Sequence, residues 1–186
     1  GGFRNVISGI SNFSTIIGGQ INKIEKNSYQ SFIGAGGGNE IREHSSSSSI
    51  SSGNNNKISG YFWLYNSNPY NSYNNFIGAG FNNIISISYS SVILGGNSNS
   101  IGRYFSPGYL GSTQPYGTSN YAGIVAGVGN GIGTSRYGFI GAGANNLINN
   151  SYGSSIVGGR SNEIKLSTNP FLFSYNSILG GYNNDI

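Results

Sequence analysis

One eleven-residue frame recurs along the whole chain, and it constrains the fold more than any other feature. Residues 14–24 read S-T-I-I-G-G-Q-I-N-K-I. With Ser14 as position zero, position +2 is Ile16, Ile33, Ile50, Ile77, Ile93, Ile124, Ile140, Ile156 and Ile178. Position +5 is Gly2, Gly19, Gly36, Gly53, Gly80, Gly96, Gly127, Gly143, Gly159 and Gly181. Position +8 is Asn5, Asn22, Asn39, Asn56, Asn83, Asn99, Asn130, Asn146, Asn162 and Asn184, and position +10 is Ile in all ten copies. No copy breaks the frame at these positions. Successive copies start 17, 17, 17, 27, 16, 31, 16, 16 and 22 residues apart, so the period is 16–17 with three insertions.

A period that short excludes paired helices, which need about 33 residues per repeat. Glycine and asparagine are also poor helix residues. A coil of two short strands fits instead, and predicts an all-β parallel solenoid of ten coils in a single domain over residues 1–186. Strand one centres on the +2 Ile and strand two on the +10 Ile, half a coil apart. Ile16, Ile33, Ile93 and Ile156 then face Ile24, Ile41, Ile101 and Ile164 across a thin core. Gly at +5 suits the tight corner between the strands. The +8 residues Asn22, Asn39, Asn56, Asn83, Asn99, Asn130, Asn146 and Asn162 either stack as an amide ladder or serve only as left-handed turn residues. Ten coils at about 4.8 Å give a rod roughly 45 Å long.

The two strands differ on their outer faces. Beside the +10 Ile stand Lys23 and Glu25, Glu40 and Arg42, Lys57 and Ser59, Glu163 and Lys165. That alternation places the face in water. Beside the +2 Ile, positions +1 and +3 include Ile17, Phe32, Phe76, Val92, Leu94, Val125, Phe139, Val157 and Leu179, with no charge among them. Sizes trade off, Phe at +1 going with Gly at +3, and a smaller +1 residue with a large aliphatic +3. A strand apolar on both faces is expected to be buried on both. Either a second copy of the chain covers this face, with strand one toward a symmetry axis, or another part of the same chain does.

All three insertions fall between +10 of one coil and zero of the next, at 60–74, 102–120 and 166–175. They hold all four prolines, which inside a coil would remove ladder hydrogen bonds. Tyr61, Phe62, Trp63, Tyr65, Tyr70 and Tyr73 crowd the first, and Tyr104, Phe105, Tyr109 and Tyr116 the second. Such rings either form a binding edge for a sugar or protein partner or fold back to plug the coils.

Residues for chemistry are scarce. Charged residues are 8% of the chain, against about 25% in typical soluble proteins. Nine basic and five acidic residues form no run, so neither nucleic acid nor an anionic membrane is an expected partner. No apolar stretch reaches the roughly 18 residues that span a bilayer. The lone His44 lies in a serine-rich corner, and most of the five acids sit beside bases rather than in catalytic pairs. The Gly-rich stretch 34–38 lacks the Lys and following helix of a phosphate loop. Cysteine is absent, and with it disulfides and thiolate metal sites. These absences predict a non-enzyme without cofactor or metal. No signal peptide is visible, the chain opens in mid-repeat without an initiator Met, and it is expected to be a section of a longer protein.

The segments STIIGGQINKI, SVILGGNSNSI and SSIVGGRSNEI resemble the head repeats of trimeric autotransporter adhesins. They resemble still more the Gly/Asn/Ser repeats of bacterial, phage and giant-virus fibre proteins. The likeness covers nearly the whole chain. It implies a left-handed β-roll, a homotrimer, and a role in attachment at the cell or virion surface. The chain departs from the adhesins in having Ile where they often have Ala or Val, a longer coil, and large aromatic insertions. The resulting expectation is an extracellular or virion-surface fibre segment that displays loops to a cell-surface glycan or protein receptor. The alternatives are a subunit of a self-assembling extracellular filament, and the stalk of a polysaccharide-degrading fibre whose active site lies elsewhere.

Overall fold

In the computed structural model, which describes residues 2–60, 71–102, 119–165 and 175–186, the chain winds into a parallel β-solenoid with no helix among the described residues. Two nine-stranded sheets face each other. One collects strand one of successive copies, from Thr15–Ile16 to Ser177–Ile178. The other collects strand two, from Val6–Ile7 to Glu163–Lys165. Nine strands per sheet, rather than ten full coils, follow from the ends of the repeat. The first copy supplies only its second strand, and the second strand of the tenth shrinks to a single bridge, Glu163 to Asp185.

The strands are two or three residues long, so the register must be held by something other than strand length. The isoleucines hold it. Ile24 pairs with Ile41, Ile41 with Ile58 and Ile33 with Ile50. The pairing passes across the first two insertions without a slip, as Ile50 meets Ile77, Ile58 meets Ile85, Ile93 meets Ile124 and Ile101 meets Ile132. A slip of one residue would turn every Ile outward, so the core itself fixes the register. These Ile form one continuous column, with Ile24, Ile33, Ile41, Ile93, Ile101, Ile156 and Ile164 fully buried and Ile16 partly buried against them. Burying a side chain of this size contributes about 1.5–3 kcal/mol. Two per coil suffice only because the backbone is also paired on both sides, coil to coil, through parallel ladders.

Candidate functional site

The corner from strand one to strand two is built by the +5 Gly and the +8 Asn together. Gly19 and Gly96 have φ of +85° and +94°, and a methyl group on either would overlap the carbonyl oxygen of the glycine one coil on, Gly36 and Gly127. Only glycine has both the conformation and the space. The asparagine beside it uses every polar atom it has. Asn39 Nδ2 donates to the carbonyls of Ala35 in its own coil (3.0 Å) and Gly53 in the next (2.8 Å). Its Oδ1 accepts from the N–H of Asn56 (3.1 Å) and from Asn56 Nδ2 (3.2 Å), and its own N–H donates to Asn22 Oδ1 (3.0 Å). The bond from each Asn N–H to the preceding Oδ1 recurs at Asn83, Asn99, Asn130, Asn146 and Asn162. The column from Asn22 to Asn162 is fully buried. These asparagines form an amide ladder. The left-handed turn residue is their neighbour at +7, whose φ is +56° at Ile21, +55° at Asn55 and +55° at Ser98.

The opposite corner, where all insertions enter, carries two columns of hydroxyls, one at the variable first position of the eleven-residue frame and one outside it. At position zero, Ser31 N–H donates to Ser14 Oγ (3.1 Å), Ser48 N–H to Ser31 Oγ (3.5 Å) and Asn75 N–H to Ser48 Oγ (3.3 Å). Ser91 N–H continues to Asn75 Oδ1 (2.9 Å) and Ala122 N–H to Ser91 Oγ (3.1 Å). Three residues earlier, Ser28 N–H donates to Ser11 Oγ (3.3 Å), Ser45 N–H to Ser28 Oγ (3.4 Å) and Ser135 N–H to Ser119 Oγ (3.3 Å). Between the columns stands a row of rings. Tyr73 lies 5.8 Å from Tyr89, Tyr121 is stacked on Tyr137 at 5.3 Å, and Tyr152 contacts Tyr137 at 5.4 Å and Tyr175 at 5.8 Å.

Tyr73 therefore needs correction as a loop-borne ligand residue. It bridges in parallel to Tyr89 and belongs to the solenoid corner. Tyr175 also packs on the corner row and the buried Ser119 belongs to a hydroxyl column, so the insertions are shorter than their sequence limits of 60–74, 102–120 and 166–175. The other candidate loop residues, Tyr61, Phe62, Trp63, Tyr65, Tyr70, Tyr104, Phe105, Tyr109 and Tyr116, lie outside the described residues.

The outer face of strand one is an uncharged, mostly apolar strip, interrupted by Ser49 and Ser51 in one coil. Ile17, Leu94, Val125, Phe139 and Val157 are 40–61% exposed and Leu179 is 82% exposed, while Phe32, Phe76 and Val92 are half-buried. The size exchange between +1 and +3 has a cause inside one chain. A methyl on Gly34, Gly78 or Gly141 would overlap the carbonyl of Ser51, Leu94 or Val157 in the coil above. Where the backbone forces Gly at +3, the Phe at +1 covers the space.

The outer face of strand two is charged near both ends of the solenoid, at Lys23 to Lys57 and again at Glu163 and Lys165, and its ion pairs lie near the start. Glu40 lies 3.9 Å from Lys23 and 3.5 Å from Arg42, and Glu43 lies 3.3 Å from Lys26 and 3.8 Å from Arg42. Burial holds the Lys57 ammonium below the usual lysine range; Arg42 pushes the same way and Glu40 and Glu43 partly offset it. Between the two charged ends, this face carries the exposed Ile84 and the buried Gly131 and Gly133 instead of charges. Among the described residues no three acidic or histidine side chains come together as a metal site. No protein-family model matches the chain, and a search of curated proteins finds no match.

Proposed function

We propose that this chain is a rigid segment of an extracellular or virion-surface fibre, that it assembles as a homotrimer with the outer face of strand one toward the symmetry axis, and that it displays its insertions for attachment. The carrying observation is the strip from Ile17 to Leu179. Exposed and half-buried aliphatic and aromatic side chains without one charge line this face of the rod, interrupted by Ser49 and Ser51 in one coil, while the opposite strand carries the ion pairs. Apolar surface of that extent favours burial against a like surface, and a symmetric assembly lets one strip meet its own copies. Stiffness comes from the ladders, since coil-to-coil backbone bonds run in both sheets and the amide column closes one corner. Adhesion is assigned to the insertions because they leave from one corner and so decorate one edge of the rod.

Replacing Val92 and Val157 by Asp places a charge on the strip in two coils without touching the Ile column. The expected result by light scattering is a fall from three chains to one, with the β-sheet circular dichroism retained. An unchanged mass rejects the trimer face. Recognition is tested separately on a glycan array, with and without the first two insertions; binding that survives their deletion makes the loops structural.

A further inference from the structure

We propose that Tyr121 and Tyr137 are a site of oxidative cross-linking, forming a carbon–carbon dityrosine bond between neighbouring coils. The inference stands apart from the fibre reading and uses only the insertion corner. The two residues occupy the same position in consecutive coils, one before position zero, and both are held in the left-handed region, with φ of +55° and +59°. Tyr121 N–H is tied to the carbonyl of Tyr89 and Tyr137 N–H to that of Asn120, so their backbones are fixed coil over coil. Their rings lie 5.3 Å apart and within 13° of parallel. They are 55% and 48% exposed, open to a diffusing oxidant. The neighbouring contacts are less suitable: Tyr137–Tyr152 and Tyr152–Tyr175 are edge-on at 80° and 89°, and Tyr73 and Tyr89 are less exposed. Rings held this close and this nearly parallel need only a small side-chain rotation to bring a carbon ortho to one hydroxyl against its counterpart.

Composition directs oxidation to these rings. The chain has no Cys and no Met, the side chains that otherwise consume oxidant first, but it has 14 Tyr. The location also gives the bond something to do. Position zero is Ala122 and Gly138 in these two coils, so the hydroxyl column that ties other coils at this point has no oxygen here. No disulfide is available to substitute.

The co-reactant is hydrogen peroxide acting through a haem peroxidase. Each phenol gives up one electron and its hydroxyl proton, leaving a phenoxyl radical with spin on the ortho carbons. One ortho carbon of each ring joins the other. The two hydrogens displaced from those carbons return to the two oxygens, restoring both phenols. The pair loses two electrons and two protons in all, and these reduce one peroxide to two waters. Holding the second ring beside the first replaces an encounter of two free radicals with a local step.

The test treats dilute whole chain with peroxidase and hydrogen peroxide. Blue dityrosine fluorescence is expected on a species that migrates as a single chain in a denaturing gel. Trypsin cuts after Arg136, so the two rings fall in separate peptides. The expected product joins 104–136 to 137–160, lighter by two hydrogens, with fragment ions placing the bond at Tyr121 and Tyr137. Tyr137→Phe keeps a ring in the stack and should lower the yield of that product at least about fivefold, as should Tyr121→Phe. Tyr29→Phe, beneath Ser46 in the next coil, should leave it unchanged. Coupling between chains, a bond mapped to other tyrosines, or equal yield from a normally folded Tyr137→Phe or Tyr121→Phe chain overturns the proposal.

Discussion

The two corners of each coil meet the same demand, satisfying backbone groups where the strands turn, with different chemistry and different tolerance. At the glycine–asparagine corner one asparagine, through its side-chain amide and its backbone N–H, makes bonds to its own coil, the coil before and the coil after, and it packs beside a glycine that has no room for a methyl group. No copy varies there and no insertion enters. At the insertion corner each hydroxyl of two columns accepts one N–H from the next coil and has a single proton to donate to a carbonyl. That column tolerates Asn75 and Asn176 in place of Ser, and it lapses at Ala122 and Gly138. All of the extra chain enters there. A corner held by many coupled bonds admits one solution, whereas a corner held by fewer bonds per coil can lose one and open for a loop.

The largest effect expected from breaking this contrast is at Gly96. Gly96→Ala adds a methyl group against the Gly127 carbonyl at a φ of +94°, so overlap and backbone strain add. A loss of about 4 kcal/mol is expected in thermal or denaturant unfolding. A ten-residue Gly/Ser loop should separate the corners almost as sharply. Placed between Asn27 and Ser28, at a corner of the kind that already admits insertions, it should cost only about 1–2 kcal/mol of closure entropy. Placed between Gly36 and Gly37 it separates Gly36 from Asn39 and should prevent folding of the neighbouring coils, read as lost β-sheet circular dichroism. Equal tolerance at both sites would show that the difference between the corners is an accident of this sequence.

Single side chains should follow the same order. Asn99→Ala strands the N–H of Asn130 and the carbonyl of Gly95 in a buried column, and takes from the Gly127 carbonyl one of its two donors, with an expected loss of about 3 kcal/mol. Ser31→Ala removes the acceptor of Ser48 N–H and the one proton that Ser31 Oγ offers to the Tyr29 or Ser45 carbonyl, and should cost about 1–2 kcal/mol. Chemical denaturation of the two variants beside the parent chain gives the comparison directly, and a Ser31→Ala cost equal to that of Asn99→Ala would abolish it.

The same contrast decides what could be seen in the sequence. The Ile, Gly and Asn columns were legible because the structure accepts one residue type at each, so identity alone reveals them. The register followed from the Ile columns, including across the insertions. The hydroxyl columns escaped because Ser, Asn, Ala and Gly share them and the insertions interrupt their spacing. The ring row escaped for a related reason: Tyr73, Tyr89 and Tyr152 stand two residues before position zero, Tyr121, Tyr137 and Tyr175 only one before it, and neither position is constant. Tyr73 and Tyr175 fall inside the insertion limits, so proximity in sequence assigned them to loops when packing assigns them to the rod. The left-handed turn at +7 was hidden by residues such as Ile21, whose side chain gives no sign of a positive φ. Its conformation is imposed by the Gly–Asn pair around it.

The strands that join the corners should distinguish them least, and Lys57 tests this. It lies on strand two, between the amide column and the first insertion, with its ammonium held below the usual lysine range chiefly by burial. A lowered value in the folded state means that the folded chain holds this proton less well than the unfolded chain. The charge therefore opposes folding in full at neutral pH, and the penalty is relieved as pH rises through the folded value toward about 10, where unfolded lysine titrates. Lys57→Met removes the penalty and keeps the aliphatic stem. The variant should be more stable than the parent at pH 7, within about 0.5 kcal/mol as for other surface substitutions, and the advantage should shrink in melts at pH 10. An advantage that grows with pH would mean that attraction to Glu40 and Glu43, rather than burial, governs the site. A cost at pH 7 approaching that of Ser31→Ala would show that the charged face of strand two ties the coils as firmly as the hydroxyl corner does.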